Sequence, residues 1–273
     1  MTSSTLFAAS VEWFRKAGSM LVLDPPIGML PDGAPGPRRF KIKAADSESR
    51  RGLVASLLKG RYLWRGYRVG DLPSDHPTQR FTLAAIEDQQ TIGTITVAFD
   101  GPDRLAADQT FPHEVQSLRD KGLKLCEFTK LAIDPTTGTK RVLAALFHVA
   151  YIVAHRMRGH DTLLIEVNPR HVRYYERMLG CSVLGEPRIN RSVDAPAVLL
   201  TVEFSYIMSQ IGKFGGQPEL SATERSLYPF AFSLPEEAGI ITRLRSRYEH
   251  WLEERDRVAV RDSDFAPSDL MGV

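Results

Sequence analysis

From Leu123 to Gly180 the chain runs, without interruption, through a strand, a turn of small residues, an apolar helix, a second strand and a second helix. Leu123-Lys-Leu-Cys-Glu-Phe-Thr-Lys-Leu-Ala-Ile-Asp134 has the residue types of a strand buried in a sheet. Strand alternation predicts Leu123, Leu125, Glu127, Thr129, Leu131 and Ile133 on one face, and Lys124, Cys126, Phe128, Lys130 and Ala132 on the other. Glu127 is thus an acid inside an otherwise apolar run, where local geometry asks for none. Pro135-Thr-Thr-Gly-Thr-Lys140 supplies the turn. Val142, Leu143, Leu146, Phe147, Val149, Ala150, Val153 and Ala154 then give a helix ending near Arg158-Gly159. Thr162 to Val167 reads as a buried strand and His171 to Leu179 as a short helix.

The flanking sequence builds outward from this stretch. Phe40 to Ala44 alternates as a first strand. Asp46 or Ser47 caps a helix from Glu48 to Lys59 or slightly beyond, with Leu53, Val54, Leu57 and Leu58 facing inward. A polar, proline-containing loop reaches Thr78. Arg80–Glu87 and Thr91–Phe99 form a hairpin around Asp88-Gln-Gln90. A short helix is expected around His113 to Arg119. Ser182 to Pro187 and Ala197 to Ser205 suit a final hairpin. Before Phe40, Thr5 to Met20 fits an amphipathic helix, and five prolines between Leu23 and Arg39 mark a linker. After Ser205, Tyr206 to Phe214 and Leu234 to Arg257 are expected to be helical. The division is therefore 1–39 for the N-terminal helix and Pro/Gly-rich linker, 40–205 for the central domain, and 206–273 for a C-terminal helical extension.

Composition excludes several classes. A net charge of +2 on 273 residues argues against a nucleic-acid binder. The two cysteines, Cys126 and Cys181, form no CxxC, so neither a disulfide framework nor a zinc site is supported. No apolar run reaches the ~18 residues of a membrane span. The N-terminus lacks the pattern of a secretory signal. A cytoplasmic protein that uses no metal is expected.

Strand, small-residue turn, helix and strand, followed by Asn168-x6-Tyr175-x4-Gly180, resemble the core of the GCN5-related N-acyltransferase (GNAT) superfamily. Cys126-Glu-Phe-Thr-Lys-Leu-Ala-Ile-Asp134 and Ile165-Glu-Val-Asn-Pro-Arg-His-Val-Arg-Tyr-Tyr-Glu-Arg-Met-Leu-Gly180 resemble the long-chain N-acyl amino acid synthases, relatives of the acyl-homoserine lactone synthases. The resemblance covers roughly Phe40 to Ser205. It implies an α+β GNAT-type fold, with a mixed central sheet flanked by helices. It also implies an acyl-phosphopantetheine thioester as co-substrate, carried by an acyl carrier protein or by coenzyme A.

The site residues follow from that chemistry. Acyl transfer to an amine needs the neutral amine, so a carboxylate such as Glu127 is a candidate base. Pairing with a neighbouring base, for structure alone, is the other reading. Lys130 stands where the lactone synthases carry arginine in Glu-x-x-Arg, and Lys cannot reproduce a bidentate clamp. With Thr129 and Arg65 it is a candidate for the acceptor. Gly138, Thr139, Lys140 and Arg141 lead into a helix N-terminus that suits a phosphate, or that is a plain helix cap. The resemblance places Asn168 against pantetheine, Tyr175 beside the leaving sulfur as an acid, and backbone donors of Leu131, Ala132 and Ile133 on the thioester carbonyl. Tyr174 competes with Tyr175 for the inward position. Lys140, Arg141, Arg156, Arg158, Arg170, Arg173 and Arg177 suit either an acidic carrier protein or a solvated face. Leu83, Ile92, Ile95, Val97 and Phe99 suit an acyl tunnel or, more simply, the core.

The expected function is transfer of a long-chain acyl group from the thioester to the amine of an amino acid or similar small amine. A short-chain acetyl-CoA-dependent acetyltransferase and a non-catalytic ligand sensor on the same fold stand as alternatives.

Overall fold

The computed structural model describes residues 21–23, 40–45, 47–67 and 79–245. The expected N-terminal helix, most of the linker, the proline-containing loop before Thr78 and the chain after 245 lie outside the described residues.

Eight strands form one sheet in the order β1-β2-β3-β4-β5-β6-β8-β7. They are β1 (Leu21–Leu23), β2 (Phe40–Ala44), β3 (Arg80–Glu87), β4 (Gln90–Phe99), β5 (Leu125–Ile133), β6 (Thr162–Val167), β7 (Ser182–Asn190) and β8 (Ala195–Glu203). Every neighbouring pair is antiparallel except β5 and β6. The parallel pair needs a crossover, and the helix between the two strands provides it. The β3–β4 hairpin turns through Asp88 and Gln89, both in the left-handed region with φ 45° and 66°, as a two-residue hairpin turn requires.

Among the described residues the helices have identifiable boundaries. Helix α1 (Glu48–Trp64) starts where Ser47 accepts a hydrogen bond from the Arg50 amide. Its buried side is narrower than expected. Val54 and Leu58 are buried, Leu57 is half-buried, and Leu53 is exposed. Helix α2 (Pro112–Asp120) follows a short 3₁₀ turn at Ala106–Gln109. Helix α3 (Lys140–Tyr151) is capped by Thr139 and continues into a wider π turn, Ile152–Met157. Helix α4 (Val172–Leu179) stops at Gly180, whose φ of 76° suits glycine. Helix α5 is Phe204–Phe214, and residues 234–245 are helical again.

The sheet separates two unlike layers. On one side, α3 and the segment after β8 pack with Phe81, Leu83, Ile92, Ile95, Val97, Phe99, Cys126, Phe128 and Leu163 into the main core. The five residues weighed as an acyl tunnel are therefore core. The chain beyond 205 belongs to the same core, through Ile207, Ile211, Leu227, Tyr228 and Ile240. Polar contacts clasp it there. The Phe232 amide donates to His148 Nδ1 at 2.9 Å, and His148 Nε2 lies 3.1 Å from a Glu237 carboxylate that also pairs with Arg156 at 3.0 Å. The Tyr228 hydroxyl donates to the Leu179 carbonyl at 2.6 Å. On the other side, α1 covers Ala84 and Ala132, while the 3₁₀ turn and α2 cover Leu125, Leu164 and Leu199.

Simple alternation fails within β5. Thr129 pairs with Thr96 and Ala132 with Thr94, so Lys130 and Leu131 together face Ile95 alone. This is a β-bulge, and Lys130 sits in it with φ 49°. Past the bulge the faces exchange. Leu131 and Ile133 pack on the main core beside Phe128, whereas Ala132 joins α1. Only Leu125, Glu127 and Thr129 of the expected set share a face in the strand.

Candidate active site

The parallel pairing of β5 and β6 is short. Leu125 pairs with Thr162, Cys126 with Leu163 and Glu127 with Leu164, and there it ends. Both strands continue, β5 to Ile133 and β6 to Val167. Among the described residues, Phe128 to Ile133 have no strand partner on the β6 side. Their backbone edge faces a wedge whose apex is Glu127.

Glu127 is buried, 1% exposed, on the α1/α2 face. Its Oε2 accepts the Ala106 amide at 2.8 Å and the Ala107 amide at 3.3 Å. These are the first amides of the 3₁₀ turn, which α2 holds in place. Burial dominates the titration and raises the carboxyl to about 8. The charges of Glu166 and Asp108 add to this, and the two amides oppose it. Asp108 is itself fixed by Arg119, which also pairs with Asp100. Among the described residues Glu127 has no ion pair with a base, and its two amide bonds also cap the 3₁₀ turn.

Glu166 was not singled out from the sequence. It lies two residues beyond Leu164 on β6, and so on the same face as Glu127. Asn190 Nδ2 donates to its Oε1 across the sheet edge. Burial raises its pKa, while hydrogen bonds from Asn190 and Thr110 oppose the rise. The sequence signal was present: a second acid in the second buried strand, hidden because the register between the strands was unknown. Thr129, Thr96 and Thr82 continue this polar floor, and the Thr82 and Thr96 hydroxyls lie 2.9 Å apart.

The turn after β5 is tied to Asp134. Its Oδ1 accepts the amides and hydroxyls of both Thr136 and Thr137 at 2.6–2.9 Å. Those bonds, the Thr136 hydroxyl first, hold its carboxyl down at about 2. The Gly138 amide donates to the Asp134 carbonyl at 2.8 Å. A Cβ on Gly138 would lie 2.0 Å from Ile133 Cγ2, so only glycine closes this turn. Gly138 therefore shapes the loop. The exposed Thr139 and Lys140 and the half-buried Arg141, at the start of α3, are what remain for an anion. The Thr139 hydroxyl accepts the Val142 amide at 3.3 Å, so the capping role and the open N-terminus coexist. The Arg141 guanidinium lies 5.9 Å from the Phe230 ring centroid.

Across the wedge, Asn168 caps the turn before α4. Its Oδ1 accepts the Arg170 amide, and its Nδ2 donates to the Pro196 carbonyl. Tyr175 is the inward tyrosine of its pair and packs edge-on against Phe147, while Tyr174 is exposed. Burial raises the Tyr175 phenol, as do Tyr174, Cys181 and Tyr62, whereas Arg65 lowers it. The Arg65 charge thus acts on Tyr175. Arg170 donates to the Tyr67 hydroxyl at 2.9 Å, joining the end of α1 to the start of α4 over the wedge mouth. His171 Nε2 is buried there with no partner among the described residues.

The seven basic residues do not form one rim. Lys140, Arg156, Arg170, Arg173 and Arg177 are exposed. Arg158 is half-buried, with its guanidinium 3.8 Å from the Phe99 ring centroid.

A family model described as N-acyl amino acid synthase FeeM matches residues 54–203, more than half of the chain. The chain belongs to the FeeM family. It is an N-acyltransferase with a GNAT-type α+β fold. Every candidate site residue falls within the matched span, whereas α5 and the clasped segment after it fall outside. Among solved structures, FeeM, an N-acyl amino acid synthase from uncultured soil microbes, matches with a TM-score of 0.57 at 23% identity. That match covers 62% of this chain and 93% of that one. The CoA-dependent acyl-homoserine lactone synthase BjaI matches with a TM-score of 0.42 at 14% identity, covering 59% of this chain and 78% of that one. The acyl-homoserine lactone synthase LasI matches with a TM-score of 0.42 at 18% identity, covering 60% and 89%. No curated protein matches the chain. Among the described residues no helix is long and apolar enough to cross a membrane.

Proposed function

We propose that the protein transfers a long-chain acyl group from a phosphopantetheine thioester, on an acyl carrier protein or coenzyme A, to the amine of an amino acid. The observation that carries this reading is the parting of β5 and β6 immediately beyond Glu127. An extended thioester arm fits against an unpaired strand edge, because that edge offers amide donors and carbonyl acceptors.

In this reading Glu127 takes a proton from the acceptor ammonium. Its pKa of about 8 suits a base working near neutrality. The neutral amine attacks the thioester carbonyl, and β5 amides of Leu131, Ala132 and Ile133 stabilise the oxygen as it gains charge. As the C–N bond forms, the C–S bond breaks, and the nitrogen gives up its remaining extra proton to water, which restores the phenol that protonates the sulfur. Tyr175 protonates the departing sulfur, and the Arg65 charge makes its phenol a better acid than burial alone would leave it. The start of α3, with Lys140 and Arg141, holds the phosphate. Thr129 and Lys130 face the acceptor, and Asn168 borders the arm.

An apolar cavity of about 30 Å³ lies behind Phe128, between α3 and α5. Its lining is apolar, as an alkyl tail requires, but its volume is about that of one water molecule, so the long-chain part of the reading rests on the resemblance to the long-chain N-acyl amino acid synthases. The test is mass spectrometry of lipid extracts from cells overproducing the protein, with thermal shifts on the purified protein. N-acyl amino acids and stabilisation by a palmitoyl donor are expected. Stabilisation by acetyl-CoA alone would overturn the long-chain reading.

A further inference from the structure

The acid-bearing face also carries a cation, Arg80, and a second, Lys130, lies near it. Arg80 pairs in register with Ala98, and Ala98 with Glu127, so the three point from the same face along one line across the sheet. Strands lie about 4.8 Å apart, which puts the Arg80 and Glu127 backbones about 10 Å apart with only a methyl between them. Lys130 sits in the bulge three residues beyond Glu127, turned out of the regular alternation by its left-handed backbone. It is partly buried, and the charge of Arg80 is close enough to disfavour its ammonium form.

Neither cation has a hydrogen-bond or ion-pair partner among the described residues. Two like charges drawn together, one of them partly desolvated, oppose folding unless an anion joins them. No carboxylate of the described residues does so. Glu127 and Glu166, on the same face, likewise lack a cationic partner among the described residues. Acids at one end and bases at the other complement a zwitterion.

We propose that Arg80, together with Lys130, binds the α-carboxylate of the acceptor, so that its amine is presented at Glu127. This rests on the acyl-transfer reading above. It makes Arg80 a specificity residue: the enzyme acts on amines that bear a carboxylate and discriminates against those that do not.

The experiment compares phenylalanine with phenethylamine, and leucine with isoamylamine, using a palmitoyl donor. Wild type is expected to favour each amino acid over its decarboxylated amine. In Arg80→Gln, and separately in Lys130→Gln, that kcat/KM ratio should fall about tenfold or more, the scale of a lost charge-assisted hydrogen bond. The melting temperature should hold or rise, because a like-charge contact is relieved. A ratio unchanged by either substitution overturns the proposal. So does a loss confined to the KM of the acyl donor, which would assign these cations to its phosphate. A wild type indifferent to the carboxylate overturns this inference while leaving acyl transfer intact. A wild type that acylates none of these acceptors removes the proposed function, and this inference with it.

Discussion

The two faces of the central sheet are built from the same strands and obey opposite rules. Toward α3, β3 to β6 present Leu83, Ile95, Val97, Phe128 and Leu163, all buried and apolar. Toward α1 and α2, the same strands present Thr82, Thr96, Glu127 and Glu166, with Arg80 at the edge. The first face gains free energy from burial. The second spends some of it, by keeping an acid where water cannot reach it. A polar group held inside at a cost marks a candidate site where, like Glu127, it borders a parted strand edge. The contrast predicts that damage on one face shows as lost stability, and on the other as lost chemistry.

The largest test of that contrast is Glu127→Gln. Turnover should fall by about 10²–10⁴ as the base is lost, while the protein becomes more stable in alkali. The sign follows from the titration. Folding raises the Glu127 pKa from 4.5 to about 8. Below pH 4.5 both states hold the proton. Between 4.5 and 8 only the folded state does, so stability declines as pH rises through that window. Glutamine has no charge to lose. Melting curves of the two proteins should coincide near pH 4.5 and separate in favour of the variant by pH 8.5. A variant less stable than wild type at pH 8.5 would break the comparison.

On the other face, Leu146→Ala on α3 should cost about 2–5 kcal/mol in denaturant unfolding, the usual scale for emptying a fully buried site. The pH midpoint of its activity should stay where wild type has it. A moved midpoint would mean that the core face tunes the base.

Glu166→Gln sharpens the picture on the acid face. Removing that charge should bring the midpoint of kcat/KM below about 8, because Glu166 is one of the causes raising Glu127. Measuring against one fixed acceptor keeps the amine's own titration constant. A midpoint left in place would mean the two carboxylates are too far apart to matter.

Tyr175→Phe should have the smallest effect, about tenfold or less in kcat with little change in the KM for the acyl donor, since a thiolate leaves without much help. Its ring keeps the contact with Phe147, so the melting temperature should hold.

These faces were partly legible in the sequence, and the limits are physical. The strand, turn, helix and strand announced themselves because buried strands and an apolar helix have strong periodic patterns. Glu127 stood out because an acid in such a run is costly. The bulge left no such mark. Lys130 occupies a left-handed conformation that glycine usually signals, and without that signal alternation carried Leu131 and Ile133 to the wrong side. Glu166 was equally visible as a residue, but which acids become neighbours depends on inter-strand register, and no local pattern records it. Arg65 and Arg80 were both plain cations in sequence. Only the crossing of α1 over the sheet assigned one to Tyr175 and left the other in line with Glu127.

The clasp formed by His148, Phe232 and Glu237 has a practical consequence for anyone handling this protein. Its recognisable family span ends at residue 203, one residue before Phe204, which is fully buried. An expression fragment trimmed to that limit would strip the greasy side of α3 bare and leave His148 without its neighbours. Such a fragment should be recovered from inclusion bodies, whereas one carried through residue 245 should remain in the supernatant.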